Sequence, residues 1–160
     1  MTPAPPPPLR IDVLTLFPGL FAGFLSESIV GRAIAKGLVE VHLWDIRDWA
    51  EGRHKQVDDR PFGGGPGMVL MAPPVVAAAE AVLEAAEPPG DLIVLSPQGK
   101  RFDQARAAEL AGRGRFTLVC GRYEGFDERI IEILRPELLS VGDFVLSGGE
   151  PAAMVVVDAV

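Results

Sequence analysis

Four short runs of β-branched and aliphatic residues recur along the chain: LRIDVLTLF (9–17), VEVHLWDI (39–46), DLIVLS (91–96) and FTLVCG (116–121). Stretches with helical spacing separate and follow them. Between Gly19 and Lys36 the apolar positions Phe21, Phe24, Leu25, Ile29 and Ile34 share one face, and Gly37 supplies a stop. Pro73 and Pro74 open a helix continued by VVAAAEAVLEAAE, and Asp103 is placed to cap QARAAELAG. DERIIEILR reads as a helix closed by Pro136, and PAAMVVVDAV begins a last one. Strands alternating with helices leave few architectures open. The expectation is an α/β fold with a mainly parallel sheet flanked by helices. Residues 47–72 carry no convincing element, and a loop that long in a small domain is usually functional or mobile.

A chain of 160 residues, 48% hydrophobic and 23% charged, suits one folded domain. That domain is expected over 9–160, after a disordered proline-rich tail at 1–8. The last segment is apolar to Val160 with no cap or breaker, so the chain reads as cut from something longer. No apolar run is long enough to span a bilayer, and the N-terminus lacks the features of a signal peptide. The single cysteine, Cys120, has no partner for a disulfide, which fits a reducing cytoplasm. Its apolar setting marks it as a buried small hydrophobe rather than a nucleophile. His42 and His54 lie outside any ligand spacing, and no metal site is expected.

A net charge of −7 argues against a general nucleic-acid binder. Charge is uneven, however: Arg47, Arg53, His54, Lys55 and Arg60 precede DDRPFGGGPGM (58–68). That cluster is either a solvated basic face or a local phosphate contact. The glycine run is costly to order, because glycine loses more backbone freedom than any other residue. Three further glycine turns, SPQGK (96–100), GRYEG (121–125) and SVGDFVLSGGE (140–150), stand where strands would end. Ligands in open α/β sheets bind beyond those ends. One such turn would mean little. Three in the C-terminal half predict a single cleft lined mostly by backbone, suited to an adenine or a ribose. GxxxxGK[ST] is absent and the first strand lacks GxGxxG at its exit, so neither a P-loop nor an ordinary Rossmann site is expected.

Four motifs taken in order carry a resemblance: VDDRPFGGGPGM (57–68), LSPQGK (95–100), LVCGRYEGFDERI (118–130) and SVGDFVLSGGEPAAM (140–154). With RIDVLTLFPGLF and IVGRAIAKGLVEV ahead of them, the chain is similar to the bacterial tRNA (guanine-N1)-methyltransferase family from Leu9 onward. The resemblance implies a SPOUT-type fold whose C-terminal part forms a deep trefoil knot. It implies S-adenosyl-L-methionine as cofactor, bent among the late turns. It places Leu95, Ser96, Pro97, Gly99, Gly121, Glu124 and Gly125 at that cofactor, with Ser140, Val141, Gly142, Asp143, Phe144, Val145, Leu146, Gly148 and Gly149. Where the family usually reads GGELPAM this chain has GGEPAAM, with Pro151 one place early, which puts one cofactor contact in question.

The same resemblance implies a tRNA partner methylated on N1 of guanine 37, with the GGGPG loop facing the RNA and Pro66 and Gly67 near the target base and its neighbour. Removing the N1 proton needs a base, and charge at O6 needs stabilisation. Glu124 is the best candidate for contacting guanine, the alternative being an ion pair with a nearby arginine. Arg122 either orients substrate or pairs with a carboxylate, and Tyr123 either packs beside the cofactor or fills the core. The family's general base, an aspartate, is expected beyond Val160, as is the tRNA-binding domain; Asp143 and Asp158 do not take its place. A homodimer with shared active sites is also implied. Two rival readings remain at this point: another knotted RNA methyltransferase, and a cofactor-binding or dimerisation module without catalysis.

Overall fold

The structure is a computed structural model describing all 160 residues. In chain order it runs β1 (Leu9–Thr15), a 3-10 turn (Pro18–Phe21), α1 (Ala22–Ser26), α2 (Ser28–Ala35), β2 (Val39–Asp45) and a second 3-10 turn (Ile46–Trp49). Then come β3 (Asp58–Asp59), β4 (Val69–Leu70), α3 (Ala72–Glu84), β5 (Asp91–Arg101), α4 (Gln104–Ala111) and β6 (Arg115–Val119). The chain closes with α5 (Glu128–Leu134), β7 (Glu137–Ser140) and α6 (Glu150–Ala159).

Five strands form one sheet in the order β2-β1-β6-β5-β7, with every pairing parallel. A parallel sheet must be covered on both faces, because its crossovers place helices there. One face packs Ile11, Val13, Ile93 and Leu118 against Phe21, Leu110 and the inner side of α6 (Ala153, Val156, Val157). On the other, Leu14, Val94 and Val119 meet α3 through Val75, Ala78, Ala79 and Val82, and α5 through Ile130. The α/β expectation therefore holds, and caps fall where the residue types asked for them: Asp103 Oδ1 accepts from Arg106 N at 2.9 Å, and Asp127 Oδ1 from Arg129 N at 2.9 Å.

Three expectations need correction. The helix read across 19–36 is broken: Glu27 is extended (φ −109, ψ 160), so α1 and α2 are separate. Helical spacing survives the break, which is why periodicity could not reveal it. A Cβ on Gly31 would stand 2.5 Å from the Ser26 carbonyl, so glycine lets α2 start against the end of α1. Second, SPQG is not the exit of β5 but an excursion within it. Leu95 and Lys100 both pair with Leu139, so residues 96–99 loop out and the strand resumes to Arg101. Third, the 47–72 loop is pinned rather than structureless. β3 and β4 pair antiparallel, Met71 N donates to Val57 O at 2.8 Å, and Leu70 N donates to Gly125 O at 2.9 Å.

A buried charge pair ties the far end of the sheet to α3. Asp12 on β1 is fully buried and accepts from Arg115 Nε at 3.0 Å and Trp44 Nε1 at 2.9 Å, with Arg10 Nε also at 3.0 Å. Arg115 carries its remaining donors to the carbonyls of Val82, Leu83, Ala86 and Pro88, at the C-terminal end of α3. A cation there meets the unpaired carbonyls of a helix end. Burial pushes the Asp12 carboxyl up, but hydrogen bonds from Arg10, Trp44 and Arg115 outweigh it and hold the group below its ordinary range.

Candidate active site

At the C-terminal ends of β5, β6 and β7 the late turns meet around one cavity of about 270 Å³. That is near the lower end of small-molecule pockets, roughly 300–1,000 Å³. One wall is the β5 excursion, contributing Leu95, Ser96 and Pro97 with Gln98. A second is Gly121 through Phe126, and the third is Ser140, Val141, Gly142 and Phe144 through Gly149. Expected positions Arg122, Tyr123, Glu124 and Gly125 therefore share this wall with Val145, Leu146 and Gly148 opposite.

Gly99 and Asp143, expected among the contacts, stand outside the lining. Gly99 serves the backbone instead: a Cβ there would be 2.4 Å from Leu138 C and Leu139 N, so glycine closes the excursion onto β7. Asp143 is exposed at the outer bend of its loop. Gly149 also has a packing reason. Its N donates to Gly121 O at 2.9 Å, and a Cβ would lie 2.7 Å from Cys120 Cα.

What the cavity offers is main chain. No backbone N–H from Asp143 to Gly148 has an intramolecular partner, and those of Gly121, Arg122 and Tyr123 are likewise free. Polar backbone this near a concave, half-apolar surface is ordinarily matched by a ligand or by water. Leu95, Leu139 and Ala152 supply flat apolar contact beside these donors. Tyr123 is held at φ 60, an uncommon conformation for a side-chain-bearing residue, and is half-exposed rather than part of the core.

Beneath this wall lies a residue the sequence did not single out. Glu150, first in α6, is fully buried. Its Oε1 accepts from Thr15 Oγ1 at 2.7 Å and its Oε2 from Arg122 Nε at 2.9 Å. Thr15 Oγ1 in turn accepts from Phe17 N at 2.9 Å, and the Arg122 guanidinium lies 4.6 Å from the centre of the Phe17 ring. Of the two roles left open for Arg122, pairing with a carboxylate is the one seen. Signals were present in hindsight: a lone threonine inside an apolar strand, and a glutamate at the start of an otherwise apolar helix. A buried carboxylate persists only when paired and hydrogen-bonded.

Cys120 sits behind the same wall with no exposure, as expected for a packing residue. Burial, with the Glu150 charge added, pushes its thiol well above the ordinary range; Arg122 opposes this weakly. No group of three or more potential ligands is placed to hold a metal ion.

The glycine-rich segment borders the cavity. Residues 60–68 form the loop between β3 and β4, and Glu124 N donates to Met68 O at 2.9 Å. Gly67 (φ +81) faces Glu124: a Cβ would fall 2.4 Å from Glu124 Cγ. Gly63, Gly64 and Gly65 have open space around them, so their glycines answer to positive φ rather than to contact. Of the basic cluster, Arg47 is engaged with Leu16 O and Asp45, and Lys55 Nζ donates to Ala50 O at 3.2 Å. Arg53, His54 and Arg60 make no ion pair and remain available to an anion.

The family model described as tRNA (Guanine-1)-methyltransferase TrmD matches residues 9–160. The chain belongs to that family. It is 54% identical over 153 residues to the tRNA (guanine-N(1)-)-methyltransferase of Rhodopirellula baltica, covering 95% of this chain and 63% of that protein. With the Chloroflexus aggregans protein of the same name it shares 56% over 152 residues, 95% of this chain and 60% of that one. The crystal structure of tRNA (m1G37) methyltransferase from Aquifex aeolicus superposes with a TM-score of 0.84 at 42% identity, covering 95% of this chain and 68% of that chain. The tRNA (guanine-1)-methyltransferase match spans the three cavity walls, the glycine-rich loop and Glu150 alike. The chain thus spans roughly three fifths of the curated relatives' length.

Proposed function

We propose that this chain is the cofactor-binding part of an enzyme that transfers a methyl group from S-adenosyl-L-methionine to N1 of guanine 37 of tRNA. The observation that carries the reading is the row of unpartnered amides from Phe144 to Gly148, facing free amides at 121–123 across one cavity. The residues fit such a cofactor. Adenine and ribose need many donors and acceptors with apolar flanks, and Leu95, Leu139 and Ala152 beside those amides provide both. When bound, the cofactor supplies an activated methyl group.

The protein's part is placement. The glycine pair 148–149, anchored by Gly121 O, keeps that wall thin, and Glu150 with Thr15 fixes Arg122 behind it. Glu124 stands at the cavity mouth, where it meets Gly67 of the loop proposed to face the tRNA; its carboxylate is suited to accept from a guanine N–H edge. Alignment of the two reactants accounts for much of the rate in a transfer of this kind. The general base, an aspartate, and the tRNA-gripping domain are assigned to sequence outside these 160 residues.

Two further features belong to the same reading. One is the trefoil knot: the chain leaves edge strand β7, crosses to the end of β6 at Gly121, and buries α6 beside β1, as a threaded segment would. The other is a homodimer that shares its active sites, favoured by the exposed Phe144, Val145 and Leu146 beside the cavity and by Val155 on the outer side of α6. A cytoplasmic setting follows from the tRNA substrate; no helix is long and apolar enough to cross a membrane.

The test is methyl transfer from radiolabelled S-adenosyl-L-methionine to a tRNA with guanine after the anticodon. This chain is compared with one extended by a relative's remaining sequence. Cofactor binding by both, with strong turnover only by the extended chain, supports the reading. Labelling of a different nucleotide, or no cofactor binding by either, overturns it.

A further inference from the structure

Phe62 is 82% exposed at the bend of the β3–β4 loop, an unusual place for a large aromatic ring. One face of the ring is covered by the Arg129 guanidinium, 5.1 Å from its centre. That guanidinium is not free to wander. Its Nε lies 3.0 and 3.1 Å from the two oxygens of Asp127, whose carboxylate is almost fully buried and also caps α5. Hydrogen bonding to Arg129 holds Asp127 in its charged form. The result is a pre-set stack of carboxylate, guanidinium and ring, with the outer face of the ring turned to solvent.

We propose that this stack is a platform for an unpaired nucleobase of the RNA, a neighbour of the base presented to the cavity. The inference rests on the RNA-methylation reading and adds a second contact to it. Aromatic rings accept bases of any identity on their faces, and the guanidinium attracted to the back of this one holds it in place. The location suits that role. Glu128, next to Arg129, lines the cavity, and the loop bearing Phe62 returns through Gly67 to Glu124. A protein partner is disfavoured by the surroundings. Docking between proteins uses contiguous apolar patches of several hundred Å², whereas Phe62 is flanked by Arg60, Pro61 and three glycines. The carboxylates nearby, Asp59, Asp127 and Glu132, largely offset Arg129. Stacking rather than net charge would therefore carry the contact.

The test uses an anticodon stem-loop RNA with guanine after the anticodon, its affinity measured by fluorescence anisotropy at fixed salt. S-adenosylhomocysteine affinity, by calorimetry, serves as the control. Phe62→Ala and Phe62→Leu should each weaken RNA binding roughly 5- to 150-fold and leave S-adenosylhomocysteine affinity unchanged. Phe62→Trp should bind like the wild type, and its emission should be quenched at RNA saturation. The leucine variant separates a π-face from mere apolar bulk, and the exposed position spares the fold. Wild-type RNA affinity in Phe62→Leu, or unquenched emission in Phe62→Trp, overturns the platform while leaving the cofactor reading intact. So does a change of oligomeric state in the alanine variant, which would make Phe62 a contact between copies. Failure of the wild-type chain to bind S-adenosylhomocysteine sinks the functional reading itself.

Discussion

Replacing Thr15 by valine is the sharpest single test of the buried network under the cavity. The two side chains have nearly the same shape, so no void opens and the effect is that of one hydroxyl. Thr15 and Glu150 are both fully buried, and their contact is 2.7 Å. A hydrogen bond to a charged group contributes about 1.5–3 kcal/mol, and the Phe17 N–H would also lose its acceptor. Removing the buried hydroxyl returns part of this, which leaves a net loss of about 2–3 kcal/mol. With total stability of about 5–15 kcal/mol for a domain of this size, that is a substantial fraction. At an ordinary urea dependence the midpoint should fall by roughly 1–2 M. Glu150→Gln alone and combined with Thr15→Val completes a double-mutant cycle, in which a coupling of about 1 kcal/mol or more is expected. A loss below about 0.5 kcal/mol for Thr15→Val, or simple additivity in the cycle, would show that the glutamate is solvated or held elsewhere.

Three other outcomes are expected. Gly67→Ala combines a backbone held at φ +81 with a Cβ that displaces Glu124; it should cost about 1–2 kcal/mol in thermal or urea unfolding and, in the extended chain, depress the proposed methyl transfer more than cofactor affinity. Equal loss of both would contradict the placement of Glu124 at the mouth. Asp12 has its folded pKa below the unfolded value, so its contribution is present above about pH 4 and disappears as pH falls through the folded value. Urea midpoints should drop across that interval in the wild type and less steeply in Asp12→Asn; parallel curves would refute the assignment. Cys120, buried and with its thiol pushed up, should resist alkylation at pH 8 until the chain is unfolded. Rapid labelling of the native protein would show that the wall opens.

Much of the framework was legible because local patterns carry it. β1, β2 and β6 lie within a residue or two of the apolar runs read as strands, and Asp103 caps its helix as its type suggested. The cleft was legible too, since glycine turns clustered after late strands and none followed early ones. What escaped depends on contacts far apart in sequence. The SPQG excursion looks like any strand exit until β7 pairs on both sides of it. Glu150 meets Thr15 across 135 positions, and Arg115 meets Asp12 across 103, so neither buried charge could be matched to its partner from spacing. The division of labour among the glycines was equally hidden. Gly99 and Gly149 admit neighbouring main chain, Gly67 admits a side chain, and Gly63 to Gly65 serve only the turn.

The convergence of three late turns on one pocket proposed for the methyl donor is tested most directly by titrating the isotope-labelled chain with S-adenosylhomocysteine and following backbone amide resonances. Saturable shifts should concentrate at 95–98, 121–125 and 140–149, with the free amides from Phe144 to Gly148 moving most. Shifts gathered on another face of the sheet, or none at millimolar ligand, would contradict the account.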